Sequence, residues 1–380
     1  MIGDMLKIPF NKASLTGNEL RYIQEAVEQG HISGDGSFTK RCCEFLERQF
    51  RAQKILLTPS CTHALEIAAI LLDLAAGDEV ILPSFAFVTT ANAFVLRGAR
   101  PIFVDIRPDT LNLDEAQIAE RMTSRTKAIV ALHYAGVACE MDAIMSLASQ
   151  HGIRVVEDAA QGVNAKYKGR FLGTIGDFAA YSFHETKNYT CGEGGALVLN
   201  HAQDVERAEI VRQKGTNRNQ FFRGETDKYT WTDLGSSYVL SDVLAAFLFA
   251  QLEQLNEIAL KRRLIYERYF EALKPLRDAG KLVLPVIPQH CESNFHLFHV
   301  LFQSQQIRNQ VMDGLKSKGI LAVFHYIPLH SSPMGMKFGY RQGQFPITED
   351  VSGRLLRLPF YNTLSMSEVD WIAESIGKLL

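Results

Sequence analysis

An α/β fold with a mainly parallel central sheet, followed by a smaller α+β C-terminal domain, is what the sequence predicts. Three observations carry this. Over roughly the first 250 residues, short apolar runs alternate with helix-like stretches, which implies βαβ units. Those runs are apolar throughout, as in strands covered on both faces. After about residue 240 the alternation stops, and long helical spacing gives way to shorter mixed segments.

Taken in order, KILLT (54–58) is a strand and HALEIAAILLDLA (63–75) has helical spacing. EVILP (79–83) is a strand and VTTANAFVL (88–96) a helix. PIFVDI (101–106), KAIVALHY (127–134) and IRVVEDA (153–159) are further strands. CEMDAIMSLASQHG (139–152) is a helix that stops at Gly152. FAAYSF (178–183) and GALVLN (195–200) complete the strand series. The stretch 241–276 reads as one or two long helices. FHLFHVLF (295–302), a helix near 308–318, ILAVFHY (320–326) and a final helix (366–379) form the smaller domain, with an antiparallel sheet expected. No repeat, low-complexity tract or long linker interrupts the chain, so the division falls beside the long helix, as 1–250 and 251–380.

Composition narrows the function classes. With 380 residues, 47% of them hydrophobic, the chain can bury a large core. A net charge of -2 gives no basic footprint for nucleic acid or an anionic membrane. No uncharged apolar run approaches the roughly 18–20 residues of a spanning helix. The opening MIGDMLKIPF carries Asp4 and lacks a signal-peptide layout. Six scattered cysteines show no CxxC spacing and no paired histidine motif, so neither a disulfide framework nor a metal site is expected. These features predict a soluble, cytoplasmic protein with reduced thiols.

Four positions that follow strand ends carry chemistry. Asp158 ends the apolar run VVED, where α/β sheets bind ligands, and a helix N-cap is its plain alternative. Lys187, in SFHETKN, could be a solvated loop lysine. Its neighbours Ser182, His184, Thr186 and Asn188, and the glycines of GEGG (192–195), suggest instead a carbonyl nucleophile beside a closely approaching backbone. Ser60, Cys61 and Thr62 in TPSCTHALE open a helix, whose free N–H groups favour a phosphate. Simple capping is the alternative, and no Walker A or G-x-G-x-x-G pattern is present. Phe87 in PSFAFVTTAN could stack on a flat ring or belong to the core. Pyridoxal phosphate (PLP) needs this combination: a lysine, an acid for the pyridine nitrogen, and donors for the phosphate.

At these residues the chain resembles the DegT/DnrJ/EryC1/StrS sugar aminotransferases, of the PLP-dependent aspartate-aminotransferase fold (fold type I). EDAAQ (157–161), SFHETKN (182–188) and PLH (328–330) match the family's blocks in order, between IPFNK (8–12) and RLPFYN (357–362). TPSCTHALE, HYAGVACEMD, KGTNRNQFFRG and DKYTWTDLGSSY carry a closer likeness, to members that aminate C4 of dTDP-4-keto-6-deoxyglucose and yield dTDP-4-amino-4,6-dideoxygalactose. The resemblance implies that Lys187 holds the cofactor covalently, Asp158 pairs with its ring nitrogen, Gln161 meets its ring hydroxyl, and Phe87 stacks on the ring. It implies Ser60, Cys61, Thr62 and Ser182 around the phosphate, and His330 and Tyr326 near the sugar. Ser237, in GSSYV (235–239), stands where many members carry the asparagine of G-Y-N-Y-R, which reaches a partner subunit's phosphate. CGEGG (191–195) is one residue tighter than the usual run.

The function expected is transfer of an amino group from L-glutamate to a keto nucleotide sugar, through pyridoxamine phosphate, in a homodimer or dimer of dimers with shared sites. Arg218 and Arg223 could meet a diphosphate or be solvated. A related dehydratase would replace Lys187 with histidine. A non-catalytic nucleotide-sugar sensor would not need the Lys187, Asp158 and Gln161 set. The gluco epimer or another keto nucleotide sugar also remain open.

Overall fold

The computed structural model describes residues 7–380. The expectation about a leader concerns in part residues 1–6, which lie outside the described ones.

Seven strands build the central sheet: β1 (Lys54–Thr58), β2 (Glu79–Pro83), β3 (Arg100–Val104), β4 (Thr126–Leu132), β5 (Arg154–Asp158), β6 (Phe178–Ser182) and β7 (Gly195–Leu199). Their spatial order is β1-β7-β6-β5-β4-β2-β3. All pairings are parallel except the two made by β7, which runs against β1 and β6. The expected strands thus form one mainly parallel sheet, and the carboxyl ends of β1, β2, β4, β5 and β6 share one edge.

Successive residues of a strand face opposite sides, and both sides here are covered. Leu56, Leu82, Val130 and Leu197 pack with Leu65 and Ala68 of the helix Cys61–Leu71 and Phe94 of Val88–Val95. On the other face Ile55, Leu57 and Tyr181 meet Leu46 and Phe50 of Ser37–Phe50 and Leu248 of Asp242–Glu253. Ile129 and Val155 meet Ile144 and Ala148 of Met141–His151.

The long helical stretch is two helices, Asp242–Glu253 and Leu255–Asp278, bent by 64° at Gln254. No single helix among the described residues is long and apolar enough to cross a membrane. In the C-terminal part, His299–Phe302 (β8) lies between Leu282–Val283 and Leu355–Arg357 (β9), antiparallel to both. Only the second half of FHLFHVLF forms the strand, because Phe295 takes a left-handed backbone (φ 52°) that breaks extension. ILAVFHY is not a strand. It meets two different neighbours through isolated bridges, Ile320 with Ile8 (parallel) and Val323 with Arg357 (antiparallel), so no continuous ladder runs along it. Ile320 bridges Ile8, and Phe10 accepts a hydrogen bond from the Phe360 N–H, so the start of the described chain lies against the C-terminal part.

Candidate active site

Strand register sets the site's geometry. Gly195, the first residue of β7, pairs with Thr58 of β1 and with Ser182 of β6. The segments that leave Thr58 and Ser182 therefore open side by side. A Cβ on Gly195 would lie 2.3 Å from the Ser60 carbonyl carbon and 2.4 Å from the Cys61 nitrogen. Only glycine lets the backbone approach this closely, which accounts for the last glycine of CGEGG.

Beyond that contact, Ser60 caps the helix Cys61–Leu71, its hydroxyl accepting from the His63 N–H at 3.2 Å. The N–H groups of Cys61 and Thr62 meet no acceptor among the described residues, as first-turn groups of a helix do until an anion arrives. Ser60, Cys61, Thr62 and Ser182 line a cavity of about 450 Å³ together with Phe87, Asp158, Gln161, Lys187 and Tyr326. Residues from four separate strand ends thus converge.

Asp158 is 3% exposed, and its carboxylate accepts a 2.6 Å hydrogen bond from the Thr90 hydroxyl. Thr90 is fully enclosed on the helix Val88–Val95 and lines the same cavity. The sequence reading passed over it. Its signal was its place in VTTAN, one turn past Phe87. Phe87 is 56% exposed, against a fully buried Phe85, so its ring is presented rather than packed. The Gln161 carbonyl accepts from the Ala135 N–H at 2.7 Å, and its amide donates to the Tyr326 hydroxyl at 3.1 Å.

Lys187 keeps part of its surface on the cavity while protein encloses it. Burial lowers its pKa below the ordinary lysine value, and the Arg357 guanidinium adds to the lowering, against opposing pulls from Cys61 and Asp158. Burial, aided by the Asp158 charge, raises the Cys61 thiol well above its ordinary value, so that thiol stays neutral and offers Lys187 little charge. An amine whose charged form burial disfavours, in one cavity with a buried carboxylate, is suited to attack a carbonyl.

Behind Asp158, on the opposite face of β5, Glu157 accepts from His133 at 2.9 Å and from the N–H groups of Gly173, Ile175 and Gly176 at 2.7 Å. Burial works to raise its pKa, but these donors prevail and hold it below the ordinary value. Its stabilisation is therefore full above the unfolded pKa and lost as pH falls through the folded one. Glu157→Gln is expected to cost about 3 kcal/mol at neutral pH and to flatten the acid limb of a denaturant-midpoint-versus-pH profile. An unchanged acid limb would count against this account.

Two expected site residues are elsewhere. His330 is fully buried and does not line the cavity. Its Nδ1 meets the Ser84 hydroxyl at 2.6 Å and its Nε2 the Glu349 carboxylate at 2.9 Å. Both ring nitrogens are used internally, so the expected place beside the sugar is corrected: His330 ties the end of β2 to the helix Pro346–Arg354. Ser237 is exposed and lines a second cavity with Arg212, Arg218 and Arg223, not the cavity that holds Lys187. His184 lines the first cavity, its Nδ1 3.0 Å from the Thr186 hydroxyl. Phe10, His296, His325 and Arg357 line it too and were not singled out from the sequence, since they come from segments distant in the chain.

The residues fit PLP: a glycine-cleared phosphate cradle with free N–H groups, a presented aromatic face, a buried carboxylate and a lysine of lowered pKa. Thr90→Val should remove the hydroxyl that orients Asp158 and weaken PLP binding about tenfold, readable by equilibrium dialysis. Unchanged affinity would argue that Asp158 needs no such support.

Known proteins are similar to this chain over nearly its whole length. GDP-perosamine synthase of Escherichia coli O157:H7 is 30% identical over 98% of this chain and 99% of its own. The aminotransferase TlmJ of Streptoalloteichus hindustanus superposes with a TM-score of 0.90 at 31% identity, covering 98% of each chain. Spr1654 of Streptococcus pneumoniae, solved in a PLP form, superposes with a TM-score of 0.90 at 25% identity, covering 98% of this chain and 99% of its own. The DegT/DnrJ/EryC1/StrS aminotransferase family model matches residues 13–377. Strand order, cavity and matches agree, and the chain belongs to that family of PLP-dependent sugar aminotransferases.

Proposed function

We propose that this enzyme moves an amino group from L-glutamate to C4 of dTDP-4-keto-6-deoxy-D-glucose, giving dTDP-4-amino-4,6-dideoxy-D-galactose. The observation that carries the reaction class is the convergence of Lys187, Asp158 and the Ser60–Thr62 turn in one cavity. The choice of sugar rests on the sequence blocks that resemble the dTDP-sugar members. Bound PLP supplies a ring that accepts electron density from the carbon being deprotonated. Lys187 anchors it, then takes the proton from the donor α-carbon and returns one at sugar C4. Asp158 keeps negative charge against the ring nitrogen, and Thr90 holds Asp158 in place. Gln161, fixed by Ala135 and Tyr326, has an amide hydrogen left for the ring hydroxyl, and Phe87 gives the ring a face.

In the same proposal, residues 1–250 hold the cofactor and 251–380 supply the opposite wall through His296, His325, Tyr326 and Arg357. Ser237 serves a partner subunit's site in a cytoplasmic homodimer, in keeping with its exposure outside its own cavity. The test is turnover of dTDP-4-keto-6-deoxyglucose with L-glutamate, with 2-oxoglutarate assayed and product configuration read from NMR coupling constants. Small couplings at H4 are expected for the galacto product, and large ones would assign the gluco epimer. No 2-oxoglutarate would overturn the proposal.

A further inference from the structure

His63 is the third residue of the helix Cys61–Leu71, and its ring turns back to the residue that caps that helix. The ring Nδ1 lies 3.2 Å from the Ser60 Oγ, which also accepts the His63 backbone N–H at 3.2 Å. Ser60 lines the cavity that holds Lys187, and His63 does not. The His63 ring is half-buried beside Tyr238, with ring centroids 5.3 Å apart. The Tyr238 hydroxyl donates to Glu66, on the next turn of the helix, at 3.2 Å. Burial, with that carboxylate beside it, pushes this hydroxyl up to about 12, so it keeps its proton. Charges on the surrounding elements are engaged elsewhere. On the helix Val205–Arg212, which packs against Cys61–Leu71, Glu206 accepts from Gln220, Arg207 pairs with Asp73 and Asp233, Glu209 with Arg223, and Arg212 with Asp35. Lys54 of β1 pairs with Glu47. The helix Val88–Val95 is uncharged, and Arg97 beyond it stands on the Tyr238 side. β6 and β7 carry no charged residue. Asp158 and Lys187 face the cavity.

A hydroxyl has one proton to give. While Nδ1 carries no proton it accepts that of Ser60, and none is left for an anion. Once Nδ1 is protonated, the Ser60 Oγ accepts from both His63 donors, and its own proton is free to turn to a phosphate. The imidazolium also adds positive charge next to the free N–H groups of Cys61 and Thr62. We propose that His63 is a positioning residue that makes the cofactor's phosphate subsite proton-linked: phosphate binding draws one proton from solvent onto Nδ1 and releases the Ser60 hydroxyl to donate to the phosphate. This rests on the reading that places that phosphate at the Ser60–Thr62 turn. The sign follows directly. Phosphate affinity is highest where the ring is charged and falls as pH rises through the range in which histidines titrate. By reciprocity, bound phosphate raises the proton affinity of the ring by the factor that the proton raises the affinity for phosphate.

The probes are pyridoxamine phosphate and pyridoxamine, which lack the aldehyde that Lys187 would capture. They are titrated calorimetrically into the apo forms of wild type, His63→Ala and His63→Gln at about pH 6 and about pH 8. At the lower pH both variants should bind pyridoxamine phosphate about tenfold more weakly than wild type, because a charge-assisted hydrogen bond is lost. At the higher pH His63→Ala should match or exceed wild type, because its Ser60 hydroxyl has no competing acceptor. Pyridoxamine should bind all three proteins within about twofold at both pH values, since His63 acts only through the phosphate. The phosphate's own titration is common to the three proteins, so the affinity ratio isolates His63. A histidine that merely supports the helix would give one ratio at both pH values, and that result overturns the inference. In wild type, pyridoxamine phosphate should raise the titration midpoint of the His63 ring by about one pH unit, followed by NMR on the resonance that His63→Gln lacks. An unmoved midpoint overturns the inference even where His63→Ala does not fold. Wild type that binds pyridoxamine phosphate no more tightly than pyridoxamine would sink the phosphate cradle and this inference with it. A clear phosphate preference with a ratio that ignores pH overturns the role of His63 alone.

Discussion

Lys187→Ala is expected to yield a protein that retains no PLP after borohydride treatment and dialysis, with turnover lowered by more than about 10⁴-fold. Positioned proton transfer alone contributes about 10²–10⁴-fold, and this side chain is also proposed to hold the cofactor. Mass spectrometry reads the first effect and 2-oxoglutarate formation the second. A variant turning over within tenfold of wild type would end the assignment. The lowered pKa adds a pH signature. Covalent capture of PLP by the apo protein needs the neutral amine, so its rate should rise with pH to a midpoint below the ordinary lysine value of 10.5. A midpoint at or above that value would show that burial does not tune the lysine.

Asp158→Asn should rank second. Losing one partner of a buried charge pair costs about 3–5 kcal/mol, which in a transition state corresponds to roughly 10²- to 10⁴-fold in rate. Stability should move the other way in the apo protein. Asp158 is 3% exposed, and Thr90 and the Ala160 N–H are its only donors among the described residues. Removing a weakly compensated buried charge should leave the apo thermal midpoint unchanged or higher, while the holo midpoint falls. If apo and holo forms lose stability alike, Asp158 is a structural residue, and its proposed partnership with the ring nitrogen is withdrawn.

Much of the site was legible because its parts lie close in sequence to strand ends. An apolar run followed by a polar turn is a local signal, and EDAAQ, SFHETKN and TPSCTHALE each carry one. Thr90 was harder, because its place one turn past Phe87 in VTTANAFVL does not by itself distinguish a hydroxyl aimed at Asp158 from one in the core. His330 misled because a histidine in a short polar motif looks like a ligand. Its partners, Ser84 and Glu349, lie 246 residues before it and 19 after it, and consume both ring nitrogens. ILAVFHY had strand composition but bridges two different neighbours, Ile8 and Arg357, at one residue each, and pairing is not a property of a segment.

The sequence by itself determined the strand series, the mainly parallel sheet, and the residue types that mark Lys187, Asp158 and the Ser60–Thr62 turn. These follow from local spacing and from where apolar runs end. Only the tertiary structure decided which side chains share a cavity. Gly195 pairs with two strands at once and brings Ser60 and Ser182 together. The C-terminal part delivers Arg357 without a counter-ion to Lys187's cavity, while His330 is sealed away. Charge pairing and burial are relations between distant segments, and a single stretch of sequence carries no record of them.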